Sequence, residues 1–217
     1  MINDALKSNV LSLRIIANVS QDMAREFNLP EGHRSLGLFT ADCDDVAYTA
    51  LDEATKRVDV KVVYAKSFYG GAANANTKLA GEVIGIISGD NPADIRSGLD
   101  AICDVINNEA FFISANEDDS VVYYAYCISR TGSYLSGIAN VPEGDSLAYL
   151  IAPPLEAMYG LDAALKAADV RMAAFYGPPS ETNFGGGLLT GSQSACKAAC
   201  GAFADAVKAI AADPTAY

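Results

Sequence analysis

Two stretches of this chain, LDEATKRVDV at residues 51–60 and LDAALKAADV at 161–170, agree at Leu51/Leu161, Asp52/Asp162, Ala54/Ala164, Lys56/Lys166, Asp59/Asp169 and Val60/Val170. The offset is 110 in a chain of 217 residues, so the chain reads as one unit written twice. The match continues on both sides. Upstream, Pro30-Glu31-Gly32 before SLGL corresponds to Pro142-Glu143-Gly144 before SLAYL, at an offset of 112. Downstream, GEVIGIISGDNPADIRSGLDAICDVI (81–106) parallels GGGLLTGSQSACKAACGAFADAVKAI (185–210), with a shorter preceding loop in the second copy. Two domains follow, 1–108 and 109–217, each long enough to bury a workable core.

Periodicity gives each copy the same elements. Val46, Ala47, Ala50, Leu51, Ala54 and Val58 share one helical face, after which VDVKVVYA turns to a β-branched, strand-like run. Asn91-Pro92 marks a helix start with proline in the first turn, where its missing N–H costs nothing. Ile95, Leu99, Ile102, Cys103 and Ile106 then form one stripe, repeated by Cys196, Ala199, Cys200, Phe203, Val207 and Ile210. Strands are expected near 10–19, 35–41, 60–66 and 82–88, and near 120–129, 145–152, 169–175 and 186–191. Strands interleaved with two helices per copy predict an α+β fold, two small mixed or antiparallel sheets with helices packed on one face. Many helix-face residues are alanine or glycine, as in AACGAFADAVKAIAA. They bury little apolar area each, so stability is expected to lean on association between copies or chains.

The bulk properties exclude several classes. A net charge of −12 repels phosphate backbones and anionic lipid, so neither nucleic acid nor a membrane surface is an expected partner. No apolar run approaches the ~20 residues of a membrane span. The start, MINDALKSNVLSLRIIANVS, lacks the basic, apolar and small-residue sequence of a signal peptide, which points to a cytosolic protein. Five cysteines without a CxxC pair fit reduced thiols better than a disulfide framework.

Groups suited to catalysis are few. His33 is the only histidine and sits in the turn PEGHRS, where a solvated residue is the plainer reading than a general base, and a histidine-rich metal site is excluded. Cys196 and Cys200 lie one helical turn apart, on a stripe with Phe203 and Val207 that reads as core rather than as metal ligation. Gly185-Gly186-Gly187 forms neither GxGxxG nor GxxxxGK[ST], so no phosphate cradle is expected. Asp42, Asp44 and Asp45 stand just ahead of a helix, where they either cap it and favour its N-terminus or belong to a site. SFYGGAANANTKLAGE (67–82) and FYGPPSETNFGGG (175–187) occupy the same place in both copies, as connectors or as mobile functional elements.

These segments resemble the bacterial microcompartment shell proteins. Their domain has a helix of the type A-D-A-x-L-K-A-A-x-V leading into a strand, then a glycine-bounded strand ending in G-D-x-A-A-V. LDAALKAADV (161–170) matches the first and SGDNPADI (88–95) the second with a two-residue expansion, whereas TGSQSAC (190–196) lacks the aspartate. Each copy starts with strands that end the ordinary domain, so the resemblance is to the branch with two fused, circularly permuted domains found in ethanolamine-utilisation compartments. RSLGL, SRTGSYLS, APPLEAMYG, PSETN and LTGSQSACKAAC extend it over essentially the full length.

The resemblance implies a structural role in the compartment shell rather than an enzyme. It implies a homotrimer mimicking a hexamer, tiling with other shell proteins, with a gated central pore and three smaller acidic channels that bind ethanolamine. By position, the gate residues are Phe68, Tyr69, Gly70, Gly71 and Asn74 in the first copy and Tyr176, Gly177, Asn183 and Phe184 in the second. The matching channel residues are Asp44, Asp45, Glu82, Phe112 and Thr182. Carboxylates pair with an ammonium, hydroxyls hold the alcohol, and an aromatic face adds cation–π attraction. No cofactor or metal is required, although the resemblance extends to binding or transit of cobalamin. Two rival readings predict other outcomes: a cytosolic metabolite sensor with paired α+β domains, forming discrete particles, and an acid–base enzyme using Asp45 and Glu82.

Overall fold

The computed structural model describes residues 1–68, 82–180 and 182–215, and of Phe68 only the backbone. The chain opens with a short strand, β1 (Ala5–Lys7), and the first copy follows as β2 (Val10–Ile16), α1 (Gln21–Glu26), β3 (Ser35–Ala41), α2 (Asp44–Arg57), β4 (Lys61–Phe68), β5 (Glu82–Gly89) and α3 (Pro92–Asp104). A π-helical turn, Val105–Glu109, leads to β6 (Phe111–Ser114). The second copy comprises β7 (Val122–Ile128), α4 (Ser133–Ala139), β8 (Ser146–Ala152), α5 (Pro154–Ala167), β9 (Val170–Tyr176), β10 (Gly185–Gly191) and α6 (Gln193–Ala212).

The two copies share one topology. The first sheet runs β2-β3-β5-β4, and the second contains β7-β8-β10-β9 with β6 and then β1 added beyond β7. The pairings are antiparallel, as β3 with β5 and β8 with β10 illustrate. The likeness reaches single residues. Asn28 and Asn140 end α1 and α4 at φ 48° and 50°, and Gly32 and Gly144 turn at 90° and 94°, a region that favours glycine. The register of β4 against β5 shifts between Val62 and Tyr64, and that of β9 against β10 shifts at the equivalent Met172 and Ala174.

The expected helix stripes are the buried ones. Val46, Ala47, Ala50, Leu51 and Ala54 of α2, Ile95, Leu99 and Ile102 of α3, and Cys196, Ala199, Cys200, Phe203 and Val207 of α6 are all core residues, and the five thiols are free. Asn91 caps α3, its side chain accepting from the Ala93 and Asp94 N–H groups, with Pro92 in the first turn. The two short helices α1 and α4 add a third helix to each copy. At six and seven residues they are too short to show a 3.6-residue stripe. His33 also departs from expectation. Its Nδ1 lies 2.8 Å from the fully buried Ser88 Oγ and its side chain is only 13% exposed, so it is a packed turn residue rather than a solvated one.

All seven residues of β8 are buried, because this strand is covered on both faces. Ala148, Leu150 and Ala152 face a core shared with α5 and α6. Leu147, Tyr149 and Ile151 face a larger core that belongs mainly to the first copy, with Leu51 and Ile102. Helices on one face therefore account for half of the second sheet's cover, and the first copy supplies the rest. The seam is closed by α2 against α4. Asp52 of α2, 1% exposed, accepts from the Gly132 and Leu135 N–H groups at 2.8 Å each, and so caps a helix whose own cap residue has no side chain. A Cβ on Gly132 would meet Thr55 Oγ1 and stand 2.6 Å from the Asp52 carbonyl oxygen, so the seam requires glycine there.

Candidate ligand-binding site

The seam encloses a cavity of about 460 Å³. The first copy lines it with Asp44, Asp45 and Tyr48 from α2 and Ala65 and Lys66 from β4. The second contributes Tyr134 and Ile138 from α4, Tyr149 and Ile151 from β8, and Tyr176, Gly177, Ser180 and Thr182 from the end of β9 and its loop.

The acids stand in the first turn of α2, where the helix dipole favours negative charge. Asp42 does a different job: its carboxylate accepts from Ser8 Oγ at 2.6 Å, Asn9 N at 2.7 Å and Asn9 Nδ2 at 2.8 Å, tying the N-terminal segment to the first sheet. Asp44 and Asp45 are 5% and 6% exposed. Asp44 Oδ1 accepts from the Asp45 N–H at 2.9 Å, and Asp45 Oδ1 accepts from the Tyr149 hydroxyl at 2.6 Å. Burial pushes the Asp44 carboxyl up to about 6. Burial, reinforced by the charge on Asp44, pushes Asp45 well above the usual carboxylate range. The same burial raises the phenols of Tyr149 and Tyr176, so both remain neutral donors.

Among the described residues no cation pairs with either acid. A charge taken out of water without a partner is costly, and these two sit side by side. Beside Asp44, the buried Ser67 hydroxyl lies near enough to favour its charged form. Two buried acids, a hydroxyl beside them and aromatic walls are the kinds of group that can hold a small cation carrying a hydrogen-bonding group.

Of the five channel residues expected from the sequence, Asp44, Asp45 and Thr182 meet on the cavity wall. Phe112 is fully buried beyond it, its ring 5.3 Å from that of Tyr124, which stands 5.4 Å from Tyr149. Glu82 opens β5, opposite Phe68 in register, and is not among the described residues that line the cavity. The loop expected from the sequence to form the second gate borders the cavity directly, through Tyr176 and Gly177. Thr182 Oγ1 accepts from the Phe184 N–H at 3.2 Å, the Phe184 ring lies 6.0 Å from Phe112, and Asn183 is exposed beside them. Of the residues expected in the first gate, Tyr69, Gly70, Gly71 and Asn74 lie outside the described residues, as does the Phe68 side chain. Tyr48, Lys66, Tyr134 and Tyr149 went unremarked in the sequence. Tyr149 meets Asp45 across 104 residues, and the one local hint was an aromatic in SLAYL where the first copy reads SLGL.

Among the described residues no group of three His, Cys, Asp or Glu side chains is placed to hold a metal, and no helix is long and apolar enough to cross a membrane.

Comparison with known proteins agrees with this architecture. The profile of the BMC domain matches residues 35–117, from the first residue of β3 through β6. The chain is 65% identical, over the whole of both chains, to the bacterial microcompartment shell protein EutL of Clostridium perfringens. It is 54% identical to EutL of Escherichia coli, covering 97% of this chain and 96% of that one. The crystal structure of the ethanolamine utilization protein EutL from Leptotrichia buccalis superposes with a TM-score of 0.95 at 72% identity over the full length of both chains. With its duplicated sheets and this likeness from end to end, the chain belongs to the EutL family of bacterial microcompartment shell proteins, structural components of the shell rather than enzymes.

Proposed function

We propose that three copies of this chain close into a pseudohexameric ring with a central pore, and that each seam cavity is a channel that binds ethanolamine and biases the loops beside the pore. The observation that carries this reading is the contact between the two halves. It joins α2 of the first copy to α4 of the second, and it leaves the equivalent surfaces, α5 and α1, at the outside of the chain. Asp45 and Thr49 of α2 are 6% and 1% exposed at the seam, whereas Leu155 and Tyr159 at the same places on α5 are 62% and 61% exposed. Leu135 of α4 is 1% exposed and Met23, its equivalent on α1, is 40% exposed. A head-to-tail contact of this kind repeats until it closes. With six copies to a turn, three chains complete the ring and cover these apolar side chains.

The seam also makes the cavity, so assembly and ligand binding share one structural cause. A protonated amino alcohol would place its ammonium against Asp44 and Asp45 and its hydroxyl near Thr182 or Ser180. Because Tyr176, Gly177 and Thr182 belong to the second gate loop, an occupied channel favours the loop conformation that completes its wall, by as much as the ligand's affinity differs between conformations. Cobalamin is far larger than 460 Å³, so any passage of that cofactor belongs to the central pore and not to the seam. Calorimetric titration tests the site. Ethanolamine is expected to bind the wild-type chain and to lose at least about tenfold in affinity in Asp45→Asn. Equal affinity in the two proteins would place the ligand elsewhere.

A further inference from the structure

The edge strands β4 and β9 hold the same place in the two copies and differ at one exposed aromatic. Phe175 of β9, 58% exposed, stands opposite Gly187 in register, as Ala65 of β4 stands opposite Gly85. Ala65 lines the seam cavity. Two residues further on, the Ser67 hydroxyl stands beside Asp44 in the first turn of α2, and a Cβ on its counterpart Gly177 would lie 3.2 Å from Phe175 Cε1. The phenyl ring therefore leaves β9 on the face that in the first copy meets the first turn of α2. In the second copy that turn belongs to α5 and carries Leu155, 62% exposed, in place of Asp45.

The surface that would receive this ring is on the first copy. Tyr149 and Ile151 of β8 are 2% and 4% exposed because the first copy covers them, whereas Leu38 and Thr40, at the same places on β3, are only half-buried. Met23 of α1 is exposed where its counterpart Leu135 is covered.

Resting on the ring proposed above, we propose that Phe175 anchors the contact between chains, entering the next copy of this chain between Met23 of α1 and the face of β3 that carries Leu38 and Thr40. A lone exposed apolar side chain is ordinary. Phe175 differs because its counterpart position already has a covering partner within the chain, and α1 with β3 repeats the topology of that partner, α4 with β8. The place that is a cavity inside the chain is filled between chains, with a phenyl ring for the Ala65 methyl and Leu155 for Asp45. Cavity-bearing and packed seams then alternate around the ring. An aromatic ring suits the packed seam, because it buries a large apolar area while ordering few torsions, and such residues dominate the energy of protein contacts.

The competing role for Phe175 is local, its ring shielding the chain at Gly177. That role needs no second chain.

Subunit exchange separates the two roles, followed by energy transfer after mixing donor-labelled and acceptor-labelled full-length chains, with particle mass measured in parallel. Wild type is expected to form a three-chain particle. Phe175→Ala and Phe175→Thr are each expected to exchange at least about tenfold faster than wild type, or to fall to single chains, with unchanged circular dichroism. Threonine keeps the preference for a strand, so a folding defect in the alanine variant does not obscure the result. Exchange at the wild-type rate in a folded variant would leave Phe175 to solvent, to its own loop or to a different protein, and would overturn its role while the ring stands. A wild-type chain that stays single at every concentration would remove the ring and the anchor with it.

Discussion

The α2–α4 seam and the α5 face are the same structural position met twice, once inside the chain and once at its surface. Inside, α2 turns polar groups toward the second copy: Asp52 caps α4, Thr49 shares a 2.8 Å hydrogen bond with Tyr124, and Asp45 accepts from Tyr149. At the surface, α5 offers Leu155 and Tyr159 at the places of Asp45 and Thr49, and Asp162, the equivalent of Asp52, pairs with Lys166 in its own helix. Fusion explains the difference. Halves on one chain cannot separate, so their contact can hold buried polar groups and a cavity, whereas a contact between chains must generate its own affinity from apolar area.

Breaking the apolar face should have the largest effect. Leu155→Asp with Tyr159→Asp is expected to release folded single chains, seen as a threefold fall in particle mass with unchanged circular dichroism. A fully retained assembly would mean that α5 faces solvent. Next comes the polar side of the comparison. Asp52→Ala leaves two buried N–H groups without an acceptor and is expected to cost about 2–4 kcal/mol in denaturant unfolding, while Asp162→Ala, an exposed pair, costs within about 0.5 kcal/mol. Equal costs would erase the distinction between the two positions.

A smaller effect distinguishes the cavity acids. Burial raises the carboxyls of Asp44 and Asp45 above their unfolded values, so the folded chain holds protons that the unfolded chain has already released. Stability from these groups is present below the unfolded value of 3.8 and is lost as pH rises toward about 6 for Asp44, and higher still for Asp45. Melting curves between roughly pH 4.5 and 7.5 should show a decline that Asp44→Asn/Asp45→Asn removes and that saturating ethanolamine flattens. A double variant with the wild-type slope would assign the pH dependence to other groups.

How much of this was legible in the residues depended on range. The repeat, the stripes of α2, α3 and α6, and the Asn91-Pro92 helix start are local signals, and each appears where its spacing put it. The short helices and β1 were not legible. β1 has three residues and pairs with Phe111, Phe112 and Ile113, more than a hundred positions away, through contacts that no window along the chain contains. The same limit governs the site. Asp44, Asp45 and Thr182 could be proposed because they matched family positions, but Tyr134 and Tyr149 reach the cavity only once the second sheet has packed against the first copy. Family position also named Phe112 and Glu82, which are not among the described residues that line the cavity.

The most direct test is the mass of the wild-type chain in solution, measured by light scattering across a dilution series. Closure of the exposed α5 and α1 faces predicts a particle three times the 22.7 kDa chain that persists on dilution. A stable particle of one chain, with Leu155 and Tyr159 left in water, would contradict the ring and the pore it encloses.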